Sequence, residues 1–256
     1  MEILLFKIAA ILLIIIGGLA GGLAPLRIGM SERGERLLSL GNAFAGGIFL
    51  GAGLIHMLSD ASEKFKSFAP DIDYPLAPLV CGCGFLLVLF LEKVLVREKA
   101  INAMSEGQPI YPFILLLVLS IHSIIAGVSL GLEKTLISSA IIFIAIIAHK
   151  SSAAFALGVS LKRAGIPSRR AAGSIAFFSF MTPLGIILGI AFSILTTSMT
   201  ATQIEAVFDA LAAGTFLYIA VLDIIGEVFE KKENRWLKFV LIVAAFGFMG
   251  LIAIWT

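Results

Sequence analysis

The 256 residues are 59% hydrophobic and only 14% charged, with a mean hydropathy of +1.06. A soluble domain is nearer half apolar and about a quarter charged, so this composition excludes a soluble core. The formal net charge of +2 says nothing by itself; the uneven distribution of the basic residues between loops argues for a membrane, and no nucleic-acid partner is expected.

Eight apolar stretches reach the roughly 20 residues that a bilayer-spanning helix needs. They run Ile3–Leu23, Leu37–Met57, Leu76–Leu95, Pro112–Leu132, Leu136–Leu161, Ala171–Leu195, Ala206–Val228 and Trp236–Trp255. None alternates with period two, which disfavours barrel strands. The expected fold is an all-α polytopic membrane protein with little mass outside the bilayer.

The first stretch has Lys7 near its start and small residues at Ala20 to Gly22. Its length, and the seven spans after it, make it a first span and not a cleaved signal. Basic residues then accumulate on one side. The odd-numbered loops carry Arg27, Arg33, Arg36, Lys93, Arg97, Lys99, Lys162, Arg163, Arg169, Arg170, Lys231, Lys232 and Arg235. The even-numbered loops carry only Lys64, Lys66 and Lys134. Cytoplasmic loops collect Lys and Arg, so both termini are expected to be extracytoplasmic.

The second span contains "AFAGGIFLGAGLIHMLSD", Ala43–Asp60. It aligns without gaps on "ALAAGTFLYIAVLDIIGE", Ala210–Glu227, in the seventh. His56 falls on Asp223 and Asp60 on Glu227. The two spans run in opposite directions, as inverted repeats in secondary transporters do. The chain therefore reads as an inverted 3+2+3 repeat in one domain, with 1–111 and 162–256 as the halves and 112–161 as a central helix pair. In the third span, Cys81 and Cys83 lie on different helix faces. They read as small buried thiols and not as a metal or redox pair.

The fourth span holds "HSIIAGVSLG", His122 to Gly131, and the fifth repeats its pattern as "HKSSAAFALG", His149 to Gly158. His122 aligns with His149, Ser123 with Lys150 and Ala126 with Ala153. Both histidines sit near mid-span on antiparallel helices, where they can face each other. Ionisable groups inside a membrane are costly and mark partners or pathways, and imidazole suits zinc, iron, copper and nickel. His122 and His149 are the candidate metal ligands. Gly127 and Gly131 form a small-xxx-small pair and read as packing residues.

Lys150 has two readings: a hydrogen bond to Ser123, its counterpart after His122, or an ion pair with a carboxylate elsewhere in the bundle. His56 and Asp60 are i, i+4 near one end of span two, and Asp223 and Glu227 are i, i+4 near the opposite end of span seven. With Ser123 and Lys150 they outline a transport pathway. Interfacial charge is the alternative for Asp60 and Glu227, and a structural histidine for His56.

At these residues the chain resembles the ZIP (Zrt/Irt-like) family of divalent-metal transporters. The resemblance covers essentially the whole sequence. The family's fourth-span pattern, His-Ser/Asn-x-x-Glu-Gly-x-x-Leu-Gly, is met by "HSIIAGVSLG" at every fixed position except the Glu. "HKSSAAFALG", "NAFAGGIFLGAGLIHMLSDA" and "ALAAGTFLYIAVLDIIGE" are similar to its fifth, second and seventh spans.

The resemblance implies a multi-pass protein of the plasma membrane. It implies carriage of Zn²⁺, or of a related ion such as Fe²⁺, into the cytoplasm by alternating access. It implies metal coordination by His122 and His149, with the metal as substrate and no prosthetic group. The lipid bilayer and the metal ion are the expected partners, and a second copy of the chain is a further candidate. The departure is Ala126, where the family usually carries Glu, and again Ala153, where it often carries another. That leaves open a protein on this fold with altered or lost metal transport, such as a carrier of another solute or a metal sensor. An intramembrane metallo-hydrolase is disfavoured, because no His-Glu-x-x-His and no carboxylate accompany the central pair, and no enzyme activity is expected.

Overall fold

The computed structural model describes residues 2–96, 111–195, 198–230 and 233–254. Arg97, Lys99, Lys231, Lys232 and Trp255 lie outside them. Among the described residues, eight helices are long and apolar enough to cross a membrane, and no strand occurs. In chain order, α1 is Glu2–Arg27. Next, α2 is Glu32–Gly51, continued by a π-helical Ala52–Met57 and by Leu58–Phe68. Helix α3 is Leu76–Leu89 followed by π-helical Phe90–Val96. Helices α4, α5 and α6 are Tyr111–Leu132, Leu136–Arg163 and Ser168–Leu195. Helix α7 is Ser198–Tyr218, then π-helical Ile219–Ile225, then Gly226–Glu230, and α8 is Arg235–Ile252.

Local chemistry marks several ends. Ser31 Oγ accepts from Gly34 N to open α2, and Thr135 Oγ1 accepts from Ser138 N to open α5, as side-chain N-caps do. Helix α5 stops at Gly165, whose φ of +70° suits glycine. Gly165 N bonds Lys162 O and Ile166 N bonds Leu161 O, which satisfies the last carbonyls.

Three lysines satisfy other helix ends from a distance. Lys7 Nζ donates to Gly131 O and Glu133 O at the end of α4. Lys162 Nζ donates to Pro25 O and Ile28 O after α1. Lys238 Nζ donates to Val228 O. A terminal carbonyl has no intrahelical partner, and in hydrocarbon the unmet bond is expensive.

Helix pairing divides the molecule into two bundles. Helices α1, α4, α5 and α6 pack together through α4–α6, α1–α5 and α1–α6. Helices α2, α3, α7 and α8 pack through α3–α7, α2–α8 and α2–α7. Glycine makes the tightest seams. A Cβ on Gly127 or Gly131 of α4 would overlap the Thr182 or Ile186 carbonyl of α6, so the packing role expected of these two residues is the one they have. On α1, a Cβ at Gly21 would overlap the Ser151 carbonyl of α5. The pairings also exchange among themselves when α1 is mapped on α6, α2 on α7, α3 on α8 and α4 on α5. The π-helical segments of α2 and α7 begin at Ala52 and Ile219, which the repeat alignment makes equivalent.

Two details differ from the sequence reading. Helix α2 runs two to three turns past Met57, so Lys64 and Lys66 are helical and not loop residues. Of the two cysteines only Cys81 is buried; Cys83 is exposed, because the i, i+2 spacing turns it to the outer face of α3.

Candidate metal centre

The short loops bring the two echoed motifs side by side. His122 on α4 and His149 on α5 are both buried, with their Nε2 atoms 3.4 Å apart and ring centroids 5.5 Å apart. Phe216 of α7 closes over them, its ring 4.4 Å from that of His122 and 5.9 Å from that of His149. One element of the second bundle therefore touches both candidate ligands. The next residue of each motif forms a second rung. Lys150 Nζ lies 3.0 Å from Ser123 Oγ and 3.0 Å from the Phe178 carbonyl of α6, and 3.6 Å from the centroid of the Phe178 ring. The Ser123 partner is one of the two readings open from the sequence.

The site is otherwise apolar. Ala126 and Ala153 place methyl groups on the turns following the two histidines. Among the described residues, no group of three or more His, Cys, Asp or Glu side chains is placed to hold a metal ion. The pair thus brings two imidazole nitrogens together without a carboxylate beside them among the described residues.

The other pathway candidates fall on two sides of this centre. The face at which α1 begins and α8 ends holds His56 and Asp60, joined Nδ1 to Oδ2 at 3.2 Å. One turn on, Lys64 bridges to Asp209 at 2.7 Å and to Glu205 at 3.2 Å on α7. The far face holds a cleft of about 500 Å³ lined by Glu92, Ser160, Arg163, Asp223, Glu227 and Glu230 among others. Arg163 of α5 pairs there with Glu227 of α7, and with Glu35 of α2 at 3.6 Å. Above the cleft, the Tyr218 hydroxyl is buried.

Sequence reasoning missed Phe216, Glu205, Asp209, Glu92 and the cross-helix role of Arg163. The i, i+4 pair Glu205 and Asp209, opening an apolar span, is the one signal that pointed to them.

A profile described as ZIP Zinc transporter matches residues 4–101 and 98–253. The chain belongs to the ZIP zinc transporter family. Its members are transporters and not enzymes. Among its relatives is mouse zinc transporter ZIP2, 29% identical over 310 residues and covering 100% of each chain. Human zinc transporter ZIP2 is 27% identical, covering 100% of this chain and 99% of its own. Zinc transporter ZIP1 of Takifugu rubripes is 30% identical, covering 99% of both. The match to ZIP proteins thus runs through both bundles and the histidine pair between them.

Proposed function

We propose that the protein carries a divalent transition metal, Zn²⁺ foremost and Fe²⁺ as a related ion, across the plasma membrane into the cytoplasm, with His122 and His149 as its midplane ligands. The observation that carries this reading is the Nε2–Nε2 separation of 3.4 Å. Two zinc–imidazole bonds of about 2.0–2.1 Å, opened at the tetrahedral angle, span about 3.4 Å. The pair therefore has the nitrogen separation of two imidazoles on one tetrahedral ion, whereas a linear two-coordinate ion requires about 4 Å. Two protein donors bind weakly enough to release the ion, which conduction demands.

The repeat alignment and the exchange of helix pairings support an inverted 3+2+3 repeat. Direction follows from charge. Arg27, Arg33, Arg36, Lys93, Lys162, Arg163, Arg169, Arg170 and Arg235 stand at the far face, against Lys64, Lys66 and Lys134 at the other. The far face is then cytoplasmic. The carboxylate-lined cleft opens on that side, which suits release inwards. Movement of the bundle containing α4 and α5 against the other supplies alternating access. A second copy of the chain remains a candidate partner, to be tested by cross-linking in native membrane.

The test is isotope-labelled zinc uptake into proteoliposomes. Replacing both His122 and His149 by Ala is expected to reduce uptake to the level of empty vesicles. Uptake that persists at the wild-type rate removes the midplane site. Ala126 and Ala153 favour one second reading, a ZIP protein that binds metal without passing it. Stoichiometric zinc binding with no uptake by the wild-type chain is the result that selects it.

A further inference from the structure

The two rungs at the centre are built from adjacent residues. His122 and Ser123 follow one another on α4, His149 and Lys150 on α5, and both cross-links span the same 27 positions of sequence. We propose that Lys150 is a positioning residue for metal binding: by joining Ser123 on α4 and the Phe178 carbonyl on α6, it sets the register of α4 against α5 that holds the imidazoles at chelating distance.

Three features support this role. First, the side chain is fully enclosed, at 2% exposure, and Ser123 is at 3%. A buried polar group is stable only when its hydrogen bonds are met, so the amine and the hydroxyl are held where they are. Second, the amine has a defined set of neighbours: the Ser123 hydroxyl, the Phe178 carbonyl and the Phe178 ring face. A lysine stem is long enough to reach from α5 to both neighbouring helices at once. Third, among the described residues no side chain hydrogen-bonds the Nδ1 of His122. The hydrogen-bonded partner that usually orients a ligating imidazole is absent from that ring among the described residues, so its orientation comes from the packing of Phe216 and from the backbone that carries it. Ser123, one residue along, is the nearest point at which α4 is tied. Close packing along the glycine seam of α4 with α6 makes the tie stiff, since Phe178 lies on the same helix as Gly185 and Gly189.

This inference rests on the midplane reading above, and its test separates the two. Full-length protein in lipid nanodiscs is titrated with Co²⁺, whose visible absorption is intense only in a tetrahedral site, and with Zn²⁺ in competition. The variants are Lys150→Met, Ser123→Ala and Ser123→Thr. If Lys150 positions the pair, Lys150→Met and Ser123→Ala both weaken binding, on the order of ten- to a hundredfold as outer-shell losses do, and weaken the tetrahedral bands. Ser123→Thr, which keeps the hydroxyl, retains binding. In uptake, both weakening variants raise KM more than they lower kcat.

If instead Lys150 acts only by repelling the ion, Lys150→Met tightens binding and Ser123→Ala leaves it unchanged, and the proposal falls. It falls equally if affinity and spectrum are unchanged in both variants while His122→Ala abolishes them. Should Lys150→Met fail to fold, Ser123→Ala against Ser123→Thr decides alone. Binding that survives in the His122→Ala and His149→Ala chains overturns the midplane reading instead.

Discussion

Asp60 and Glu227 occupy equivalent positions in the repeat alignment, four residues after His56 and Asp223, yet their surroundings are opposite. Asp60 lies on a face where a basic residue of its own helix, Lys64, binds two carboxylates of α7. Glu227 lies on a face where the basic residue comes from α5 and reaches both α2 and α7. Helices α2 and α7 belong to one bundle and α5 to the other. The Lys64 ties are therefore internal to a bundle, and the Arg163 ties cross the boundary between bundles. In the proposed transport cycle, relative movement of the bundles would break the second set and leave the first intact. The same i, i+4 motif, inverted in the repeat, thus meets a tie within one bundle on one side and a tie between bundles on the other.

Removing the internal tie is the harshest test. Lys64→Met leaves Glu205 and Asp209 facing each other without their cation, and both are largely enclosed, with side-chain exposures of 17% and 15%. Breaking a fully buried pair by deleting one partner costs 3–5 kcal/mol; with Lys64 itself about a quarter exposed, roughly 2 kcal/mol is expected. That loss is read as a lower Tm in detergent, with zinc uptake per folded molecule within about twofold of wild type. If stability is unchanged but uptake collapses, the tie belongs to the transport cycle and the contrast drawn above is wrong.

Arg163→Gln tests the crossing tie. Its guanidinium and both acids are partly exposed, and such pairs are worth about 1 kcal/mol at most. A shift of this size changes the balance between two arrangements by about fivefold, with little change in Tm. Spin labels at Arg169 on α6 and Trp236 on α8, both exposed, report the separation of the bundles at this face. Their distance distribution is expected to gain a second population in Arg163→Gln and to stay as wild type in Lys64→Met. An unaltered distribution in both means that the bundles are not held by Arg163.

The sequence showed these contrasts only in part, for a physical reason. Eight helices were legible because hydrocarbon imposes their length, and the histidine pair because one motif is written twice at a constant offset. The end of α2 was not. Beyond Met57 it leaves the apolar run, and a hydropathy reading stops although the backbone stays helical to Phe68. The partners of the site were hidden for another reason. Phe216 and Phe178 reach it from helices far along the chain, and which helices touch is decided by glycine seams whose meeting faces no linear pattern identifies. Lys7 and Lys238 looked out of place in oily runs until the carbonyls they satisfy, at Gly131, Glu133 and Val228, came into view.

The smallest effect is expected at Glu227, and it is the most discriminating. Its side chain is 46% exposed, so its bond with Arg163 is screened by water and salt. Glu35, at 24% exposure, still holds Arg163 when Glu227 is neutral. Glu227→Gln is therefore expected to alter zinc uptake by less than about twofold, and that difference should vanish in high salt, as for an exposed pair. An effect larger than that of Arg163→Gln requires a different explanation, because the pair cannot lose more through the acid than through the base that also serves Glu35. The carboxylate then acts on the ion itself as it leaves through the cleft beside Asp223 and Glu230. Uptake measured at low and high salt in the two variants distinguishes the cases: a loss that persists in salt and appears in Glu227→Gln alone makes Glu227 part of the conduction path, and a small salt-sensitive loss keeps it as one arm of the tie between bundles.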